Sequence, residues 1–293
     1  MHVLRQSRFS DFSRRQFMQR SAATLAAFAI SASAAPPDIA ELPLACRLAS
    51  YGKFQDAAWD HLPTIGVKYL FLNVPTPEEL PSIQARFASS NLTPLVMRGA
   101  ADFATRSCLD ALAPQLATCQ DLGVRYMFLS PKHGETPKDT VYGYLRELGD
   151  LAKAHEVTVT LETHPDLGTN GATHVETMKA IDHPNIRVNF DTGNITYYNH
   201  NASAAAELEK VLDYLGTVEF KDHGGGFEEW TFPPLGEGIV DFSAIVRILK
   251  NAKYQGPITL EYEGVKGTEL DESETKQAIE ASITHIRNVW DAE

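Results

Sequence analysis

Eight strand-like segments alternating with helical patterns across residues 35–293 predict a single closed (β/α)₈ barrel, an α/β fold. Three observations carry this. Apolar and polar residues alternate with period two in the strand segments, and apolar residues recur at helical spacing between them. Four strands in the second half each bring an acid to the polar side near the same end. An open doubly wound sheet is the competitor, but no glycine-rich phosphate-binding turn follows the first strand.

The first 34 residues stand apart from this pattern. Arg5, Arg8, Arg14, Arg15 and Arg20 precede an apolar run from Ala22 to Ile30, and Ser31-Ala32-Ser33-Ala34 follows it. A basic region, a short apolar region and a small-residue cleavage site make a signal peptide. Ser13-Arg14-Arg15-Gln16-Phe17-Met18 resembles the twin-arginine export signal, which a receptor reads. Residues 1–34 are therefore expected to be a leader and residues 35–293 the barrel, exported to the periplasm or another extracytoplasmic space.

Composition narrows the partners. No apolar run in the remaining chain is long enough to span a membrane, and the 43% hydrophobic content suffices for a large core. The 26 basic and 38 acidic residues include five arginines and one aspartate of the leader. The mature chain then carries 21 bases against 37 acids, a net charge of −16. Such a surface repels phosphate backbones, which argues against a nucleic-acid partner. Cys46, Cys108 and Cys119 are too few for a disulfide framework; buried thiols are expected, with a Cys108–Cys119 bridge as the alternative. Nothing in the sequence excludes a homo-oligomer.

Taken in order, strands are predicted at Leu44–Ser50, Val67–Asn73, Leu92–Arg98 and Val124–Ser130. The intervening Ser107–Leu122 segment contains Pro114, which predicts a kink or two short helices. Val141, Leu145, Leu148 and Leu151 form one helical stripe. The fifth strand, Val157–His164, turns Val157, Val159 and Leu161 one way and Thr158, Thr160, Glu162 and His164 the other. The sixth opposes Ile186, Val188 and Phe190 to Arg187, Asn189 and Asp191. In the seventh, Val218 and Phe220 oppose Glu219 and Lys221; in the eighth, Ile258 and Leu260 oppose Thr259, Glu261 and Glu263. Stripes at Phe242, Ile245, Val246, Leu249 and at Ile279, Ile283, Ile286, Trp290 complete the helices.

The polar faces define the candidate site. Carboxylates gathered at a barrel mouth repel one another unless a cation or proton is shared. Four of them point to a divalent metal with oxygen donors, the kind of set that suits Mg²⁺ or Mn²⁺. The blander alternative pairs the acids with Arg98, Arg187 or Lys221. His164 shares the inward parity of Glu162. The loop from His223 through Pro234 is long, with three consecutive glycines and then Trp230 and Phe232, as expected of a lid whose Trp230 stacks on a substrate ring or packs on the rim.

The ordered pieces LETH (Leu161–His164), NFDTGN (Asn189–Asn194), EFKD (Glu219–Asp222), PLGEGIVDF (Pro234–Phe242) and GPITLEYEG (Gly256–Gly264) resemble the xylose isomerase-like barrels. Within them the likeness is to the sugar (phosphate) isomerases/epimerases, a branch that includes ketose 3-epimerases and inosose dehydratases. The resemblance implies a metal held by Glu162, Asp191, Glu219 and Glu261. Glu219 departs from the histidine the family commonly has, in HxKD, which shifts the expected ion from zinc toward Mn²⁺ or Mg²⁺. It implies Glu162 and Glu261 as the acid–base pair; Asn194 and Lys221, with His164 from its parity (or as a structural histidine) and Trp230 from its loop, are the substrate-binding candidates. The expected activity is a metal-dependent isomerase or epimerase that moves a proton next to the carbonyl of a non-phosphorylated sugar or glycoside. The alternatives are a lyase or hydratase using the same site, or an exported sugar-binding barrel without turnover.

Overall fold

A computed structural model describes residues 43–293, and the predicted leader lies outside the described residues. The barrel strands are β1 (Leu44–Arg47), β2 (Tyr69–Asn73), β3 (Thr93–Arg98), β4 (Tyr126–Leu129), β5 (Thr158–Glu162), β6 (Ile186–Asp191) and β7 (Leu215–Phe220). A short outlying strand, β8 (Thr231–Phe232), precedes the eighth barrel strand, β9 (Ile258–Leu260). All eight run parallel, and β9 pairs with both β7 and β1 to close the barrel. The predicted (β/α)₈ barrel is the observed fold.

The helices α1 (Gln55–Thr64), α2 (Leu80–Ser89), α3 (Cys108–Asp121), α4 (Lys138–Ala154), α5 (Gly171–Ile181), α6 (Thr192–Tyr198), α7 (Ala204–Val211), α8 (Phe242–Asn251) and α9 (Glu272–Ala292) occupy the connections. Their apolar stripes do what helical spacing requires. Val141, Leu145 and Leu148 of α4 are fully buried, as are Ile245, Val246 and Leu249 of α8. Asp271 and Glu274 form a reciprocal capping box at the start of α9, satisfying backbone donors that the first turn would leave unpaired. At Pro114 the segment is one helix of 14 residues with the proline inside it rather than two short helices. Proline removes a single intrahelical donor, and the buried stripe of Leu109, Leu112, Leu116 and Cys119 outweighs that loss.

Strand parity sorts the side chains into two regions. Val157, Val159, Leu161, Val188, Phe190, Val218, Phe220, Ile258 and Leu260 face outward into the core shared with the helices. The barrel interior is itself divided. On β1–β4 it is apolar, with Ala45, Phe71, Val96 and Phe128 in one cluster. On β5–β9 it is polar, with Thr160, Asn189, Thr217, Glu219 and Thr259 all buried. The polar half satisfies itself by hydrogen bonds, such as Thr217 Oγ1 donating to Asn189 Oδ1 at 2.6 Å.

Several strands are shorter than the sequence pattern suggests: β4 spans Tyr126–Leu129 rather than Val124–Ser130, and β5 ends at Glu162 rather than His164. After Arg47 the chain enters a 3₁₀ helix, Leu48–Phe54, rather than continuing extended to Ser50. After Leu260 the chain leaves the barrel, and Gly264–Val265 forms β10, which pairs antiparallel with β8. This two-stranded ribbon ties the connection after β7 to that after β9. Cys46, Cys108 and Cys119 are free and buried.

Candidate functional site

The strand order places Glu162, Asp191, Glu219 and Glu261 on four successive neighbours, β5, β6, β7 and the end of β9. Asp191 and Glu219 are direct register partners. Oxygens of Asp191, Glu219 and Glu261 lie within 4.8 Å of one another, and all three side chains are buried. Glu162 lies outside that cluster and lines the adjoining chamber of about 310 Å³ together with Glu261 and Glu263.

Two cations hold the acids together. Arg47, at the end of β1, sets Nη1 3.3 Å from Glu219 Oε1 and also pairs with Glu261. Its guanidinium lies over the rings of Phe71 and Phe128, 4.9 and 5.2 Å from their centroids. Arg47 thus joins the apolar and polar halves of the barrel interior. Lys221 places Nζ 3.0 Å from Glu261 Oε2, pairs with Glu263, and lies 3.9 Å from Asp191 Oδ2. Sequence reasoning had named Lys221 but not Arg47. Arg47 has the inward parity of Ala45, but a strand expected to run on to Ser50 sets it in mid-strand rather than at the mouth, where β1 in fact ends.

The electrostatics differ from one acid to the next. Burial pushes the Asp191 carboxyl up to about 8; Glu261 adds to this while Lys221 opposes it. Glu219 is raised for the same first reason, burial, with repulsion from Glu261, and Arg47 only partly offsets it. Glu261 is also penalised by burial, yet Lys221 and then Arg47 outweigh that and hold it below the usual carboxylate range. Glu162 is half-buried, and its carboxylate makes no hydrogen bond or ion pair among the described residues. The two predicted acid–base residues therefore sit in different states: Glu261 is clamped by two cations and Glu162 is unengaged.

The donor set fits a divalent cation. Asp191 Oδ1 accepts the Asn194 N–H at 2.9 Å, but the buried Asp191 Oδ2 has no hydrogen-bond partner. An orphaned buried carboxylate oxygen beside two more buried carboxylates can hold a metal, and oxygen-only donors favour hard ions.

The remaining candidates resolve individually. Asn194 donates to Thr163 O and accepts from Lys221 Nζ at 3.3 Å, so both ends of its amide are engaged. His164 lines the chamber and meets the Tyr198 hydroxyl at 2.9 Å through Nε2. Trp230 is 42% exposed at the chamber mouth, edge-on to Phe232 and Tyr197. His223 is buried between Thr196 Oγ1 and Glu229 O, each close to one ring nitrogen, as a loop residue rather than a substitute ligand.

Asp222 shows why the EFKD and PLGEGIVDF pieces occur together. Its carboxylate accepts backbone N–H groups from His223, Gly236, Gly238 and Val240 at 2.8–3.1 Å. The side chain at the end of β7 thereby folds the lid segment back over the barrel. Gly238 is required by this approach, because a Cβ there would collide with the Asp222 carboxylate.

Comparison with known proteins gives a consistent frame. A family model described as xylose isomerase-like TIM barrel matches residues 66–289. An inosose dehydratase of Erwinia tasmaniensis is 30% identical over 141 residues, covering 42% of this chain and 47% of the relative. The chain thus spans about half the length of the curated relatives it matches. Among solved structures, a D-psicose 3-epimerase from Clostridium cellulolyticum H10 with D-tagatose superposes with a TM-score of 0.70 at 15% identity. That match covers 85% of this chain and 99% of the epimerase. The IOLI protein with a bound zinc atom superposes equally well, TM-score 0.70 at 17% identity, covering 86% and 99%. At these identities the structural matches establish the shared fold.

Proposed function

The chain belongs to the xylose isomerase-like TIM barrel family, and from that premise we propose that it is a metal-dependent isomerase or epimerase of a non-phosphorylated sugar or glycoside. The observation that carries this reading is the bracketing of the buried Asp191–Glu219 pair by Glu162 on one side and Glu261 on the other, on successive strands. Two carboxylates reaching one chamber from different walls can serve the two faces of a reacting carbon.

Asp191, Glu219 and Glu261, with Glu162 beside them, would hold Mn²⁺ or Mg²⁺. When bound, such an ion supplies Lewis acidity to the substrate's carbonyl and hydroxyl oxygens. The chain's own residues supply the rest. Glu162, free of other partners, takes the proton from the carbon next to the carbonyl. Glu261 starts as the carboxylate, so it gives a different proton, taken up from solvent, to the other face of the carbon. The cycle leaves Glu162 protonated and Glu261 ionised. Lys221, fixed by Glu261, Glu263 and Asn194, and Arg47, fixed by Glu219 and Glu261, stabilise negative charge developing on oxygen. Trp230 stacks on the outer face of the sugar at the chamber mouth, and the ribbon of β8 and β10 limits water entry.

A second reading has its own support. The relatives matched in sequence include inosose dehydratases, and proton abstraction beside a leaving group gives elimination from the same arrangement. We also propose export by the twin-arginine route, which favours non-phosphorylated substrates. Replacing Arg14 and Arg15 by lysine should retain precursor inside the cell, and normal export of that variant would refute this. Screening free sugars and their 3-keto derivatives with added Mn²⁺ tests the activity. Turnover that Glu162→Gln abolishes is expected, and turnover unaffected by that change would overturn the assignment of Glu162.

A further inference from the structure

The mouth of the chamber is electrically divided, and only one side of it is used by the chemistry above. Four cations line it: Arg47, Arg98, Lys132 and Lys221. Arg47 and Lys221 are taken up by Glu219, Glu261 and Glu263. The side chains of Arg98 and Lys132 have no hydrogen-bond or ion-pair partner among the described residues, although the chain has 38 acids to offer against 26 bases. Arg98 ends β3, with the inward parity of Val96, and lies level with Phe128 of β4. Lys132 follows β4, in the connection that also brings Ser130 to the chamber.

Resting on the proposed sugar reading, we infer that Arg98 and Lys132 form an anion subsite and that the substrate is a sugar acid whose carboxylate they bind. The order around the mouth supports this. Free cations stand at the end of β3 and just after β4, the unengaged Glu162 on β5, and the acid cluster on β6, β7 and the end of β9. A substrate lying across the chamber puts its carboxylate against the β3–β4 wall and its hydroxy-carbonyl end against Glu162 and Glu261. A neutral sugar leaves both cations unpaired, whereas a carboxylate accepts charge-assisted hydrogen bonds from a guanidinium and an ammonium at once. Arg98 and Lys132 line the same chamber of about 310 Å³ as Glu162 and Glu261. The subsite therefore sits near the reacting end of a single ring rather than on a remote surface. A phosphate ester presents the same anionic chemistry; the proposed export favours the carboxylate.

Calorimetric titration of the Mn²⁺-loaded protein with D-glucuronate, neutral D-glucuronamide and glucose 6-phosphate separates the cases, with D-galacturonate and its amide as a second pair. At least one acid should bind about tenfold or more tightly than its amide. That preference should shrink with added salt and disappear in the Arg98→Gln/Lys132→Gln double variant, while Mn²⁺ binding by the variant is unchanged. Equal binding of acid and amide, or a preference that survives in the double variant, overturns the subsite. Tightest binding of the phosphate ester, lost in the double variant, overturns the sugar-acid assignment. No binding of any of these sugars by protein shown to hold Mn²⁺, extended to a panel of free sugars and 3-keto glycosides, overturns the sugar reading itself.

Discussion

Arg47 Nη1 lies 3.3 Å from Glu219 Oε1, although 172 positions separate the two residues in the chain. The pair links the first barrel strand to the seventh, and through Glu261 to the last. Arg47→Gln removes one partner and leaves two buried carboxylates short of a counter-charge. Breaking such a pair costs about 3–5 kcal/mol. At roughly 2–4 °C per kcal/mol for a chain of this size, the melting temperature in EDTA should fall by about 6–20 °C. Saturating Mn²⁺ should restore part of the loss by mass action. Calorimetric scans with and without metal check both statements.

The carboxylate cluster predicts a graded response to ligand changes. Asp191→Asn and Glu261→Gln each remove a charged donor and should weaken Mn²⁺ binding by about tenfold or more. Glu219→His should still bind one ion while shifting preference toward zinc, because an imidazole replaces a hard oxygen donor. Titration calorimetry and elemental analysis of the purified variants measure affinity, stoichiometry and ion identity together.

The lid predicts a separate effect. Asp222 accepts four backbone N–H groups within the 223–240 segment and at its start. An asparagine keeps the shape but offers one acceptor oxygen and a donor facing other donors. Asp222→Asn should cost about 2–4 kcal/mol, within the range for breaking buried hydrogen bonds to a charged group. Proteolytic cleavage between residues 223 and 240 should accelerate more than cleavage elsewhere, as read by mass spectrometry of limited digests.

His174 supplies a pH dependence one residue removed from Asp191, through the Thr163 hydroxyl that both contact. It is fully buried, its Nδ1 has no partner, and burial lowers its pKa from 6.5 to about 3. The unfolded chain therefore binds a proton below about pH 6.5 that the folded chain refuses. Stability contributed at this position is intact above that pH and falls as the pH drops toward 3. The slope is about 1.4 kcal/mol per pH unit. Urea unfolding of the wild type and His174→Gln between pH 4 and 8 should show the stability difference narrowing in favour of the variant at the acid end.

The second half of the barrel was legible because strand parity is a local property. Glu162, Asp191, Glu219 and Glu261 each follow a period-two pattern, and equivalent positions at strand ends converge once the sheet closes. Lys221 was visible for the same reason. Arg47 and Arg98 have the same inward parity in the first half, but there the interior is filled by Phe71 and Phe128. A strand such as Leu44-Ala45-Cys46-Arg47, apolar until its last residue, does not announce a site. The role of Asp222 was not legible because its partners are backbone groups 14–18 positions later, which no side-chain pattern records. At Pro114 the helix is not divided, because the buried stripe on both sides of the proline outweighs one missing hydrogen bond.

Solvent exchange tests the central claim, proton transfer next to a sugar carbonyl, most directly. The Mn²⁺-loaded protein, incubated in D₂O with the sugars that bind it, is followed by proton NMR at the carbon beside the carbonyl. The account predicts loss of that proton signal with deuterium at the same carbon of recovered substrate or its epimer, and no loss with Glu162→Gln. An unsaturated product with its leaving group released would assign the elimination branch. Bound sugar that neither exchanges its proton nor changes, with metal present throughout, would contradict the account.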